Sequence, residues 1–148
     1  TEWKRCYREK KPLGLLLVDI DCFKKYNDTY GHQMGDDTLI AVAKVLNNSV
    51  KRVGDMAARY GGEEFAVILP NSNLDGVWRF GENLRKAVAE LGIEHEGLPW
   101  RYLTISIGAA ATVPVKNINY EQLIKIADDA LYQAKDQGRN QVFKATEL

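Results

Sequence analysis

The sequence predicts an α+β sandwich: one domain with a mostly antiparallel five-stranded sheet and helices packed on its faces. Three observations carry that expectation. "PLGLLLVDI" (12–20) is continuously apolar and then charged, the pattern of a central strand buried on both faces. "RYGGEEFAVILP" (59–70) reads as strand, glycine turn and strand, a hairpin. Three longer segments place apolar residues at helical spacing, so the elements run α-β-α-β-β-α-β-α-β.

Taken in order, "TEWKRCYREKKP" has Trp3 and Tyr7 at helical spacing and is ended by Pro12. No cap precedes it, so it reads as a truncated helix in a piece of a longer protein. The strand 12–20 follows. "GDDTLIAVAKVLNNSV" carries Leu39, Val42, Ala43, Leu46 and Val50 on one face, with its acidic residues expected in the first turn, where the helix dipole favours them. After the hairpin, "LDGVWRFGENLRKAVAEL" aligns Leu74, Val77, Trp78, Gly81, Leu84, Val88 and Leu91. "RYLTISIGAAA" alternates Leu103, Ile105 and Ile107 against Thr104, Ser106 and Gly108, the period of a strand. "NYEQLIKIADDALYQAKDQG" is a helix capped by Asn119 and Gln122 and closed by Gly138. "NQVFKA" is a short last strand.

Composition narrows the function classes. The chain has 148 residues, 20 basic and 20 acidic. That balance gives no electrostatic reason to bind a nucleic-acid polymer or an anionic membrane. No apolar stretch is long enough to span a bilayer. Cys6 and Cys22 fit no metal or redox spacing and read as cytosolic thiols.

Several residues invite chemistry. Asp19 ends a buried strand, where a carboxylate is costly unless a cation meets it. Oxygen ligands there suit Mg²⁺, which takes one or two carboxylates plus substrate phosphate. The plainer alternative is a strand-end Asp capping a turn. Glu63 and Glu64 sit at the hairpin tip, either beside Asp19 or as a solvated charged turn. Backbone N–H groups around Gly31, His32, Gly35 and Asp36 can hold phosphate at a helix start. Asn27 and Asp36 either read a base edge or cap their helices, and His32 is otherwise a turn hydrogen-bonder. Lys135 and Arg139 either clamp a triphosphate or complement a helix C-terminus.

"RYGGEEF", "DIDCFKKYNDTYGHQMGDDTL" and "ALYQAKDQGRN" together closely resemble the GGDEF family of diguanylate cyclases, in the family's order and spacing from about Pro12 to Asn140. The resemblance implies a nucleotidyl-cyclase or palm-like fold that condenses two GTP into cyclic di-GMP and two pyrophosphates with Mg²⁺ or Mn²⁺, two per half-site. It implies metal contacts from Asp19, Glu63 and the carbonyl of Ile20. It further implies guanine contacts from Asn27 and Asp36, a substrate neighbour in His32, and phosphate contacts from the backbone at Phe23 and Lys24. Lys135 and Arg139 match the triphosphate contacts. Gly61 and Gly62 match glycines that let substrate approach the backbone. Glu63 matches the group that activates the 3′-hydroxyl; Glu64 is its motif neighbour, and Asp21 a supporting residue.

Because each domain holds one GTP, the resemblance implies turnover across a homodimer. Arg52 and Asp55 match the family's R-x-x-D product-inhibition site, or else form a surface ion pair. Arg59 stands nearby as a helper. The family's D-x-L-T and N-R-R elements have no counterpart before the first strand. The expectation is thus a cytoplasmic GGDEF domain over residues 1–148, cut from a longer sensor protein, with GTP as substrate, cyclic di-GMP as product and inhibitor, and no direct membrane contact. Three alternatives remain: a silent GTP or cyclic di-GMP receptor, a cyclase with another product, and a protein-interaction domain.

Overall fold

A computed structural model describes residues 1–146. The elements are α1 (Glu2–Glu9), β1 (Leu13–Ile20), α2 (Phe23–Tyr30), α3 (His32–Ser49), β2 (Met56–Gly61), β3 (Glu64–Pro70), α4 (Leu74–Glu90), β4 (Ile105–Thr112), α5 (Tyr120–Asp136) and β5 (Val142–Lys144). The sheet order is β2-β3-β1-β4-β5. The four longer strands are antiparallel, and β5 adds a parallel edge to β4. Among the described residues no helix is long and apolar enough to cross a membrane.

β1 is central, and every one of its residues is buried, as its apolar run requires. Its two faces feed two cores. Leu16, Val18 and Ile20 pack with Phe65, Val67, Ile105 and Ile107 beneath α2, α3 and α4. Leu13, Leu15 and Leu17 pack with Leu123, Ala127 and Leu131 beneath α1 and α5. Side chains alternate along a strand, so Asp19 and Asp21 continue the row of Leu13, Leu15 and Leu17.

α5 lies directly on β4 because Gly108 has no side chain. A Cβ there would stand 2.1 Å from the Ala127 carbonyl oxygen and 2.4 Å from the Leu131 amide nitrogen. Asn119 and Gln122 form the expected capping box at the start of α5.

The structure corrects the sequence reading at several points. α2 is an additional helix, short and polar, entered through Cys22 at φ 52° without a side-chain cap. α3 begins at His32 behind Gly31, so Asp36 and Asp37 lie inside the helix and not in its first turn. Neither Asp36 nor Asn27 is therefore a cap. α1 does have a cap: the Thr1 hydroxyl accepts from the Lys4 N–H at 3.4 Å. Leu91 lies beyond α4 and is exposed. β4 begins at Ile105, and Thr104 and Ser106, which read as its polar face, are fully buried.

Gly108→Ala should cost about 3 kcal/mol or more, because the clash is with backbone and α5 must lift as a unit. A fall in urea midpoint at unchanged slope would register it. A neutral result would mean that α5 rides further from the sheet.

Candidate active site

The row Leu13-Leu15-Leu17 turns acidic at Asp19, and the stripe Leu123-Ala127-Leu131 of α5 turns basic one turn later at Lys135. Both changes fall at the same end of the sheet. The Lys135 ammonium forms an ion pair with Asp19 Oδ2. The other oxygen, Oδ1, is buried without a hydrogen-bond partner. Burial pushes the Asp19 carboxyl up to about 6; the Lys135 hydrogen bond and charge pull it down, and Glu63 and Glu64 add to the rise.

The hairpin tip meets Asp19 directly. Asp19 pairs with Glu64 in the β1–β3 register, and the Ile20 N–H donates to the Glu63 carbonyl at 3.3 Å. Arg59 Nε donates to the Gly62 carbonyl at 2.9 Å and clamps the turn from the β2 side. Neither Gly61 nor Gly62 has a left-handed φ, and a Cβ at Gly62 would meet nothing within 4 Å. Neither packing nor backbone strain in the fold accounts for these two glycines.

Asp21, one step along the same row, is fully engaged. It accepts from Thr104 Oγ1 at 2.7 Å, Ser106 Oγ at 2.5 Å and the Asn140 N–H at 3.1 Å. This explains the buried hydroxyls of β4. It ties the end of β1 to β4 and to the turn after α5, where Arg139 lies exposed at φ 65°.

On the other side of β1, α2 opens at Phe23 and Lys24, whose N–H groups in the first turn have no intrahelical acceptor. The left-handed Cys22 before them is held by His95. Its Nδ1 accepts from the Gly97 N–H at 3.2 Å, so Nε2 carries the proton and donates to the Cys22 carbonyl at 3.1 Å. His95 is fully buried. Sequence reasoning missed it: a histidine in a polar loop reads as exposed, and the contact spans 73 residues.

Asn27 faces α3 across Gly35, where a Cβ would stand 1.8 Å from Asn27 Oδ1. That amide oxygen is also buried without a partner. His32 is exposed at the α3 start. Asp36 and Arg59 line a cavity of about 600 Å³ between α3 and the hairpin, floored by Leu39, Ala57 and Phe65. A larger cavity of about 790 Å³ lies on the opposite face near Trp3 and Leu15; it is mostly apolar, and none of the candidate site residues lines it.

Arg52 and Asp55 stand apart from this cluster. Arg52 makes a two-pronged pair with Asp55, both contacts at 3.3 Å, and Nη2 also donates to the Pro70 carbonyl and Ser72 Oγ at 2.8 Å. Arg59 belongs to the hairpin tip and not to this pair.

A hard divalent cation fits the donor set: one orphaned carboxylate oxygen, a neighbouring glutamate and main-chain carbonyls. Among the described residues no three His, Cys, Asp or Glu side chains gather to hold a metal by themselves. Such an ion would need further oxygens from phosphate or water.

Residues 1–141 match the family model described as "Diguanylate cyclase, GGDEF domain". The chain belongs to this family. Among GGDEF relatives, it is 46% identical over 132 residues to diguanylate cyclase DgcM of Escherichia coli, covering 89% of this chain and 30% of that protein. It therefore spans less than a third of that relative's length. The active GGEEF domain of a diguanylate cyclase from Vibrio cholerae superposes with a TM-score of 0.87 at 27% identity, covering 99% of this chain and 91% of that one. The coiled-coil and GGDEF structure of DgcB from Caulobacter crescentus, solved in complex with c-di-GMP, gives 0.86 at 32% identity, covering 97% and 75%.

Asp19→Asn tests the electrostatics. A carboxyl whose pKa rises on folding favours the folded state below its ordinary value near 4, and that contribution is lost as pH climbs through about 6. Without metal, the Asn variant should lose this decline and melt at or above the parent at pH 7.5. Melting curves at pH 4.5 and 7.5 decide it; a variant equally destabilised at both would show Asp19 to be a stabilising partner of Lys135.

Proposed function

We propose that this chain is a diguanylate cyclase domain that joins two GTP molecules into cyclic di-GMP with release of two pyrophosphates. The observation that carries the reading is a pair of buried oxygens left without partners at one end of the sheet, Asp19 Oδ1 and Asn27 Oδ1. The third such oxygen among the described residues, Glu2 Oε1, has the Arg5 guanidinium 3.2 Å away. A buried acceptor without a donor is costly, so these two atoms suit a ligand that supplies a cation to one and N–H groups to the other.

Asp19, Glu63 and the Ile20 carbonyl would hold Mg²⁺ or Mn²⁺, two per half-site. When bound, the metal polarises the α-phosphate, lowers the pKa of the attacking hydroxyl and neutralises the departing pyrophosphate. Asn27 and Asp36 read the guanine edge, Asp36 accepting two N–H groups side by side. Phe23 and Lys24 offer backbone N–H groups at the α2 start, where the dipole favours phosphate. His32 sits beside the substrate. Lys135 binds the triphosphate as a point charge and Arg139 as a fork. Gly61 and Gly62 leave the backbone open to the nucleotide. Glu63 takes the proton from the 3′-hydroxyl, and Glu64 supports it from the first position of β3. Two domains facing across a two-fold axis bring each 3′-hydroxyl to the other GTP, and a sensor module upstream in the parent protein sets their approach.

Arg52 and Asp55 form the product-inhibition site in this reading. Guanine O6 and N7 would compete with Asp55 for the Arg52 fork, and Asp55 would accept from guanine N–H groups. Asp55 is nearly buried while Arg52 is half exposed, so Arg52 is the partner free to turn outward.

The test follows product. With GTP and Mg²⁺, cyclic di-GMP should rise more than linearly with protein concentration, and Glu63→Gln should lower turnover on the order of a hundredfold or more. Rate per protein that stays flat over a wide range would remove the dimer requirement. No product despite tight GTP binding, in this chain and in a longer one carrying its upstream segment, would replace the enzyme with a receptor.

A further inference from the structure

Among the described residues, 138–140 is the one run of three consecutive positive-φ residues. Gly138, Arg139 and Asn140 are left-handed in succession, with φ of 119°, 65° and 47°. For Arg139 this is costly, on the order of 1 kcal/mol or more, and such conformations persist where surroundings over-determine them. Here they are over-determined from two sides. From β1, Asp21 accepts the Asn140 N–H at 3.1 Å. From α4, Arg85 Nη1 donates to Asn140 Oδ1 at 3.2 Å. Arg85 is itself fixed by a fork to Glu82, at 3.1 and 2.9 Å, in a partly buried pair. The Arg139 N–H is taken by the Ala134 carbonyl at 2.9 Å, and its own carbonyl by Gln141 Nε2 at 3.0 Å. The backbone N–H groups of all three residues and the Asn140 side-chain oxygen are thus held, and the Arg139 side chain is left exposed.

We propose that Arg85 is a positioning residue: through Asn140 it locks the left-handed turn and so aims Arg139 at the substrate's triphosphate. This rests on the reading of Arg139 given above. Arg85 does not touch the nucleotide. It works as a strut from α4, 55 residues away in sequence, to a turn that Asp21 alone would hold only by its backbone. Asn140 suits the strut because asparagine tolerates the left-handed region and presents an acceptor from it.

A double-mutant cycle separates aim from mere stability. The probe is 3′-deoxy-GTP with Mg²⁺, which cannot cyclise, titrated calorimetrically into the 148-residue chain. Arg85→Met and Arg139→Ala should each weaken binding by about tenfold, the scale of one charge-assisted contact, and the double variant should be no weaker than Arg139→Ala alone. Asn140→Gly keeps the Arg85–Glu82 pair and accepts the backbone angle, yet should lose affinity as Arg85→Met does; it carries the test if Arg85→Met fails to fold. Folded Arg85→Met and Asn140→Gly at parental affinity, or losses that multiply with that of Arg139→Ala, overturn the strut while leaving the Arg139 contact standing. Parental affinity in Arg139→Ala ends both.

Discussion

The carboxylate of Asp21 is accepted into the protein interior on one condition, that its oxygens are supplied with donors. Thr104, Ser106 and the Asn140 N–H supply them, from β4 and from the turn after α5. A buried charge without such partners would cost several kcal/mol. The requirement works in reverse as well: to satisfy Asp21, the end of β1, the start of β4 and the 138–140 turn must stay together. Two residues earlier in the same row, Asp19 is treated differently. One oxygen faces Lys135 and the other faces nothing. The fold binds its structural carboxylate completely and leaves its neighbour incomplete.

That neighbour is placed by two periodicities that fail together. A strand of period two and a helix of period 3.6 lie against each other, apolar to apolar, until both run out of apolar residues at one end. Asp19 is the next position in the strand row and Lys135 the next in the helix stripe. Gly108 brings the helix backbone onto the sheet closely enough for the ammonium to reach the carboxylate. The hairpin then adds Glu63 and Glu64 by register, since Asp19 pairs with Glu64. Burial raises the Asp19 pKa, Lys135 opposes the rise, and the charges of Glu63 and Glu64 add to it.

What the sequence reveals follows from which of these forces are local. The central strand, the glycine-tipped hairpin and the long helices α3, α4 and α5 are legible because apolar periodicity over many residues outweighs any single misreading. α2 is not: its eight residues are mostly polar, and it starts from a left-handed cysteine held by a histidine far along the chain. The start of α3 is missed for a related reason, as Gly31 begins it where an acidic cap would be expected. The burial of Thr104 and Ser106 does not follow from their alternation, because its cause, Asp21, lies more than eighty residues earlier. Asp19, Glu63, Glu64 and Lys135, all on legible elements, lie at the same end of the sheet. Arg52 and Asp55 are paired with each other, apart from that cluster. Arg85 and His95 escape notice because their importance lies wholly in long-range bonds.

Strain is distributed in the same pattern. Among the described residues six non-glycine positions have left-handed φ, and three of them, Cys22, Arg139 and Asn140, flank the end of β1. Each is pinned by a bond to a separate element: Cys22 by His95, Asn140 by Asp21 and Arg85, Arg139 by Ala134. A turn chosen for stability alone would place glycine at such positions. Side chains are retained here at a conformational cost, with neighbouring elements recruited to hold them. For Asn140 the side chain explains itself, since its oxygen receives Arg85. For Arg139 no ion-pair partner is found among the described residues, and the proposed triphosphate contact would give its exposed guanidinium an anion from outside.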